Sequence, residues 1–185
     1  MDCIETRGFT LVELVITLAI GAILMTAAAP AFTDLVRTSR LSAQLNNFAR
    51  AVNFGRMEAI KRGRQASICV RSGDVCSNDG PWRNGWLVYV DEDGDSEVDQ
   101  EELLISYDAL PDGYSLTPNV NTNALRFSAT GQVRRASGAL PLMTFRLCAP
   151  DAEPGKLVQR SREIVINATG RMRVQYGREG ITRCP

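Results

Sequence analysis

The most one-sided stretch of the chain lies at its amino end. After Met1 to Gly8, the residues from Phe9 to Ala29 are small or apolar apart from Thr10, Glu13, Thr17 and Thr26. Wound as a helix they run about 31 Å at 1.5 Å per residue, enough to cross a bilayer core. Pro30 follows, and because a helical pattern resumes at once, the proline is expected to bend the helix rather than end it. Leu41, Leu45, Phe48, Val52, Gly55 and Ala59 then recur at alternating spacings of four and three, which makes a single apolar stripe. Arg37, Arg40, Asn46, Arg50 and Asn53 fall off that stripe. The second half of the helix is therefore predicted to lean on a globular domain. Lys61 and Arg62 supply positive charge for a last turn, and Gly63 supplies a stop.

Beyond residue 62 the period shortens to that of strands. Runs at Gln65 to Arg71, Trp86 to Val90, Leu103 to Tyr107, Tyr114 to Thr117, Leu125 to Ser128, Met143 to Cys148, Glu163 to Asn167 and Arg171 to Tyr176 are separated by turn residues. One short repeat stands out. Phe127-Ser-Ala-Thr-Gly131-Gln-Val-Arg134 and Ile166-Asn-Ala-Thr-Gly170-Arg-Met-Arg173 share a strand, an Ala-Thr-Gly turn and a second strand, which predicts two hairpins with glycine at a positive-φ position.

Charge changes this picture by its distribution rather than its total. The 185 residues carry 21 basic and 21 acidic side chains. Residues 9–62 hold six basic and three acidic, residues 63–125 three and twelve, and residues 126–185 eleven and four, giving +3, −9 and +7. Nearly all the basic residues are arginine, with Lys61 and Lys156 the two exceptions, and arginine favours bidentate contact with anions. There is no histidine. That removes Ser/His and Cys/His nucleophile pairs and histidine-bound metals, and no paired-carboxylate pocket emerges from the remainder, so the sequence argues against an enzyme.

A secretory signal would place its small-residue cleavage point after the apolar run. Here the plausible cut, between Gly8 and Phe9, precedes it, so the apolar segment stays on the mature chain. Glu13 is the anomaly within that segment, since an ionisable group near a membrane-helix end is costly and usually retained for a partner. Gly8-Phe9-Thr10-Leu11-Val12-Glu13-Leu14, followed by an apolar helix, resembles the class III signal of type IV pilins and type II secretion pseudopilins. Met57-Glu58-Ala59-Ile60, the Gly85-Trp86 strand, the acidic loop, Phe127 to Gly131 and a terminal Gly-Arg-x-Arg resemble the GspH/FimT/FimU branch of that family.

The resemblance implies an α+β, type IV pilin-like fold: a long N-terminal transmembrane helix packed on a C-terminal antiparallel β-sheet domain. It divides the chain into a leader (1–8), the transmembrane half of the helix (9–29), its amphipathic half (30–62) and a periplasmic β-rich domain (63–185). A prepilin peptidase of the inner membrane would cut after Gly8 and N-methylate Phe9. Glu13 would serve subunit recognition in assembly with other pilins or pseudopilins; in place, its carboxylate is expected either to meet the free amino group of Phe9 on a neighbouring chain or to snorkel to the interface. The leader departs from the usual net positive charge, since Arg7 is outnumbered by Asp2 and Glu5. The implied function is that of a minor pilin assembling into a pilus or its tip complex; the alternative is a GspH-type pseudopilin of type II secretion. No cofactor is required by either.

Cys3 would leave with the leader, so Cys69, Cys76, Cys148 and Cys184 remain for an oxidising compartment. Three pairings are possible, and the expected one joins Cys69 to Cys76 across a polar turn and Cys148 to Cys184 to tie down the carboxyl end. Zinc is disfavoured, with neither histidine nor a Cys-x-x-Cys spacing present.

Two charged constellations remain. Counted from Asp91, carboxylates fall at positions 1, 3, 5, 7, 9, 11 and 12 (Asp91, Asp93, Asp95, Glu97, Asp99, Glu101, Glu102), with Val98 apolar at position 8. That approaches the spacing by which an EF-hand wraps oxygens around Ca²⁺, with Asp91, Asp93, Asp95, Asp99 and Glu102 as the expected ligands. Ser96 replaces the glycine expected at position 6, and the flanks read as strands. The alternative is an acidic hairpin loop kept soluble by its charge. At the carboxyl end, Arg171, Arg173 and Gln175 share one predicted strand face and Met172, Val174 and Tyr176 the other. Arg178 and Arg183 follow, with Arg160 and Arg162 on the strand before, an expected basic face whose fork-shaped donors suit phosphates, with Arg171, Arg173, Arg178 and Arg183 as the expected DNA contacts. FimT-type minor pilins of naturally competent bacteria bind DNA through a Gly-Arg-x-Arg motif, matched here at Gly170, Arg171 and Arg173. The resemblance thus implies sequence-independent binding of double-stranded DNA, against the plainer reading that an exposed strand face must be polar anyway.

Overall fold

The computed structural model describes residues 8–134, 142–150, 157–177 and 184. The leader residues Met1 to Arg7, with Cys3, and the two arginines Arg178 and Arg183 lie outside the described residues. Helix α1 runs from Leu11 to Arg62 with Pro30 inside it, so the proline does not end the helix. The chain divides into two compact units between Ser39 and Arg40.

The first unit ends at Ser39 and contains the apolar part of α1. It is long and apolar enough to cross a membrane, and its large side chains from Leu11 to Met25 are exposed. The polar interruptions are handled locally: Thr17 Oγ1 donates to the carbonyl of Leu14 at 2.8 Å and Thr26 Oγ1 to that of Ile23 at 2.7 Å. A hydroxyl bonded to its own helix costs little in lipid, where a free one would find no water.

The second unit carries its own core. Along α1 the stripe residues Leu41, Leu45, Phe48, Val52, Gly55 and Ala59 are all buried. Burial begins at Leu41 rather than at Pro30: Phe32 and Leu35, in the half expected to be amphipathic, are exposed. The stripe ends there in the sequence, since the positions that would continue its register toward Pro30, Thr38, Asp34 and Ala31, hold no large apolar residue and are exposed as well. Gly55 sits where a side chain would touch Ile68 and Val88 at 3.4 Å, so the glycine lets the helix backbone approach the sheet.

The stripe meets two antiparallel sheets. Strands β1 (Gln65–Ser72), β2 (Val75–Cys76), β3 (Trp86–Asp91), β4 (Leu103–Tyr107), β6 (Ala124–Phe127) and β7 (Val133–Arg134) form the larger, in the order β4-β3-β1-β6-β7 with β2 beside β1. Strands β5 (Ser115–Pro118), β8 (Met143–Cys148), β9 (Ser161–Ile166) and β10 (Met172–Tyr176) form the smaller, in the order β10-β9-β8-β5. Phe48 joins them. Its ring lies 5.1 Å from that of Trp86 on β3 and 4.8 Å from that of Phe145 on β8, with Trp82 edge-on at 5.8 Å. Disulfides join Cys69 to Cys76 and Cys148 to Cys184, with Cα–Cα distances of 5.5 and 5.9 Å.

Candidate functional site

At the start of α1, Thr10 is the cap. Its Oγ1 accepts the backbone N–H of Glu13 at 3.2 Å, satisfying one of the donors that a helix start leaves open. Thr10-Leu11-Val12-Glu13 thus has the sequence of a capping box, and Glu13 lies exposed in the first turn, where a negative charge suits the helix dipole.

The last turn of α1 holds a second charged group, whose pairing the sequence did not reveal. Glu58 is buried beside the stripe; Arg62 Nε donates to it at 2.9 Å and Lys61 Nζ at 3.3 Å. The hydrogen bond from Arg62 holds the Glu58 carboxyl below its ordinary range, with Lys61 adding to the effect and burial opposing it. Arg62 Nη1 also reaches Glu92 Oε1 at 3.0 Å, which ties the helix end to the acidic loop.

That loop connects β3 to β4. Asp91, the last residue of β3, is buried, and its carboxylate accepts the Gly94 N–H at 2.7 Å and the Gln65 amide at 2.9 Å. Asp93 and Asp95 accept the N–H groups of Asp95 and Glu97. Asp91, Asp93 and Asp95 each place a carboxylate oxygen within 4.8 Å of the other two. Glu102 is buried nearby, with Oε1 accepting the Glu92 N–H at 2.6 Å. Asp99 and Glu102 share a concavity with Asp93, and neither is in the group of three. Ser96, at position 6, adopts φ 65°. Burial raises the Tyr89 hydroxyl, which stays a donor and bonds the Ser96 carbonyl at 2.9 Å. Val98 packs with Cys69, Leu87 and Tyr89 on the far side of the large sheet from the main core.

The two Ala-Thr-Gly turns meet each other. Gly131 and Gly170 have φ 73° and 75°, and each accepts the same local closure: Gly131 N–H donates to Ser128 O at 2.7 Å, Gly170 N–H to Asn167 O at 2.9 Å. A side chain at Gly170 would collide with the Gly131 carbonyl and would lie 2.7 Å from Arg56 Nε, which itself donates to that carbonyl at 3.1 Å. The glycine of Gly-Arg-x-Arg is therefore demanded by packing, whatever the arginines do. Asn167 Oδ1 accepts the Arg171 N–H at 2.9 Å, which sets the start of β10.

By strand pairing, Arg173 lies opposite Val165 and Gln175 opposite Glu163, on the face of the small sheet turned away from the core. Arg171 and Arg173 are exposed and line a cleft of about 380 Å³ with Leu142, Val165, Asn167 and Met172. Gln175 and Arg146 are both taken up by Glu163, at 2.8 and 3.0 Å. Two expectations need correction. Arg162 does not join the basic face: its register puts it opposite Tyr176 on the other side, where it is buried, bonds the carbonyls of Gln159 and Ser161, and stacks 4.3 Å over the Tyr176 ring. Arg160 belongs to a short helix, α2 (Leu157–Arg160), rather than to β9. The opposite face of β10 is also less buried than its pattern implies, with Val174 46% and Tyr176 68% exposed. β10 is an edge strand, and only Met172 at its start packs against the core.

An apolar N-terminal helix ahead of a helix-backed, two-sheet domain defines a type IV pilin-like subunit. The family model for type II transport protein GspH matches residues 44–170, and the chain belongs to that family. The prokaryotic N-terminal methylation motif matches residues 6–29. The fold is shared with the type IV minor pilin FimU of Pseudomonas aeruginosa, at TM-score 0.54 and 19% identity over 78% of this chain and 92% of that one. It is also shared with the minor pseudopilin EpsH from the type 2 secretion system of Vibrio cholerae, at TM-score 0.52 and 12% identity over 74% and 97%. No curated protein matches the chain by sequence. The protein is thus a minor pilin or pseudopilin; members of this family are structural subunits that associate with other pilins or pseudopilins in a fibre, not enzymes.

Proposed function

We propose that this chain is a minor type IV pilin that also catches double-stranded DNA without sequence preference, in the service of natural transformation. The observation that carries the reading is the exposure of Arg171 and Arg173 on the outward face of a hairpin held by interlocked turns. Two guanidinium groups on a rigid edge suit phosphate oxygens, which position a protein on DNA but carry no sequence information. In this reading prepilin peptidase cuts between Gly8 and Phe9 and methylates Phe9. The mature chain waits in the bacterial inner membrane as a single-pass protein with its domain in the periplasm, then enters the pilus. Glu13 pairs with the amino terminus of a neighbouring subunit. The second reading, a type II secretion pseudopilin with no DNA partner, is favoured by the family description itself.

Mobility shift of the full chain in detergent micelles, across a salt series, separates the two. Each phosphate contact contributes roughly −0.9 to the log-log salt slope, so Arg171→Ala with Arg173→Ala flattens the slope by about two units and weakens binding equally on all sequences. A folded wild-type chain that shifts no DNA at low salt returns the protein to a structural role alone. Glu13→Gln, which keeps an amide where the carboxylate was, leaves cleavage intact and blocks incorporation into sheared fibres; incorporation at the wild-type level contradicts the pairing.

A further inference from the structure

The turn between β3 and β4 concentrates negative charge that the fold leaves largely unanswered. Glu92 and Arg62 form the one ion pair to this loop among the described residues. Asp91, Asp93 and Asp95 nevertheless hold an oxygen each within 4.8 Å of one another, where their charges repel and a cation among them would relieve the repulsion. The observation that points to a ligand comes from the far end of the loop. Glu102 is 5% exposed, its Oε1 is drawn to the backbone N–H of Glu92 between Asp91 and Asp93, and its Oε2 is buried with no hydrogen-bond partner at all. Buried carboxylate oxygens are normally paired, and an orphan costs free energy that a bound cation recovers. Glu102 and Asp93 line one concavity of about 730 Å³, together with Glu92, Asp99, Gln100 and Glu101.

We propose that this loop is a Ca²⁺ site, with Asp91, Asp93, Asp95 and Glu102 as carboxylate ligands at positions 1, 3, 5 and 12. The donors are all oxygens, which selects a hard cation, and the flexible count of carboxylates suits the larger Ca²⁺ over Mg²⁺ with its strict octahedron. The chain path agrees. The sharp turn that usually requires glycine at position 6 is made by Ser96 at φ 65°, its carbonyl fastened by the Tyr89 hydroxyl. Position 7 offers the carbonyl of Glu97, and Asp99 at position 9 serves through water, as in the helix-flanked version of this loop. Strands replace the helices on both sides. The apolar residue at position 8, Val98, packs on the sheet instead of on a partner loop. Bound Ca²⁺ would therefore fasten the β3–β4 connection to the back of the large sheet, independently of whether the protein binds DNA.

The test uses the full chain in detergent micelles, stripped with chelator and compared in chelator, in calcium at about 5 mM and in magnesium at matched ionic strength. With an affinity in the 10⁻⁴–10⁻³ M range of extracellular modules, calcium raises the melting temperature by roughly 2–9 °C. Isothermal titration with CaCl₂ gives one site per chain. Asp93→Asn with Asp95→Asn melts no lower than wild type in chelator, because two repelling charges are gone, yet loses the calcium response, while Asp112→Asn keeps it. Equal melting in calcium and chelator overturns the site, as does an equal rise in magnesium or a double variant that still responds like wild type.

Discussion

The two halves of α1 are continuous in backbone and opposite in design. From Leu11 to Met25 the apolar residues surround the helix and none of the large ones is buried; from Leu41 to Ala59 the six residues of one stripe are buried, while Met57, off that stripe, is exposed. A helix that is apolar all round is made for a low-dielectric surrounding, lipid or other helices, whereas a stripe is made for one specific partner. The first half therefore owes its stability to what the subunit joins, and the second half to the domain it belongs to.

Phe48→Ala attacks the second half where it touches both sheets. The loss of a fully buried ring between Trp86 and Phe145 is expected to cost the domain about 3–5 kcal/mol in denaturant unfolding. Ile16→Ala in the first half should leave the same transition within about 0.5 kcal/mol of wild type, because the side chain is exposed in the isolated chain. Similar losses for the two variants would erase the distinction.

A smaller effect sharpens it at the end of the second half. Glu58 titrates below its ordinary value near 4.5 in the folded protein, chiefly through Arg62. Its contribution is complete above that ordinary value and disappears as pH falls through the lowered folded value. Glu58→Gln should reduce stability at neutral pH by about 1 kcal/mol or less, and the gap to wild type should close as the pH drops below about 4.5. A gap that persists unchanged in acid would mean that packing, not charge, is what Glu58 supplies.

The stripe on α1 was legible because a helix period singles out one face, and the paired Ala-Thr-Gly turns because glycine at positive φ leaves few alternatives. Alternation along β10 was legible too, but it tells which side a residue faces and not whether anything covers that side. Val174 and Tyr176 are exposed because their strand is an edge, a property of sheet order that the sequence does not carry. Arg162 was misplaced for a related reason: only register puts it opposite Tyr176. The split into two sheets, joined by Phe48, was also out of reach, since strand runs do not name their neighbours. In the acidic loop the spacing of carboxylates was visible, while the backbone state of Ser96 and the orphaned oxygen of Glu102 were not. Asn167 could have been found, because the repeat puts Ser128 at the equivalent position and both are turn-capping types.

The central claim is that the apolar half of α1 is an assembly segment released at its amino end by a pilin-type cut. Intact-mass and N-terminal peptide measurement of the chain, purified from cells with an active prepilin peptidase, tests it most directly. The account predicts a chain that begins at Phe9 and carries one added methyl group on that amino terminus. A chain that keeps Met1 to Gly8, or that has lost the apolar segment by a cut beyond Ala29, would contradict it.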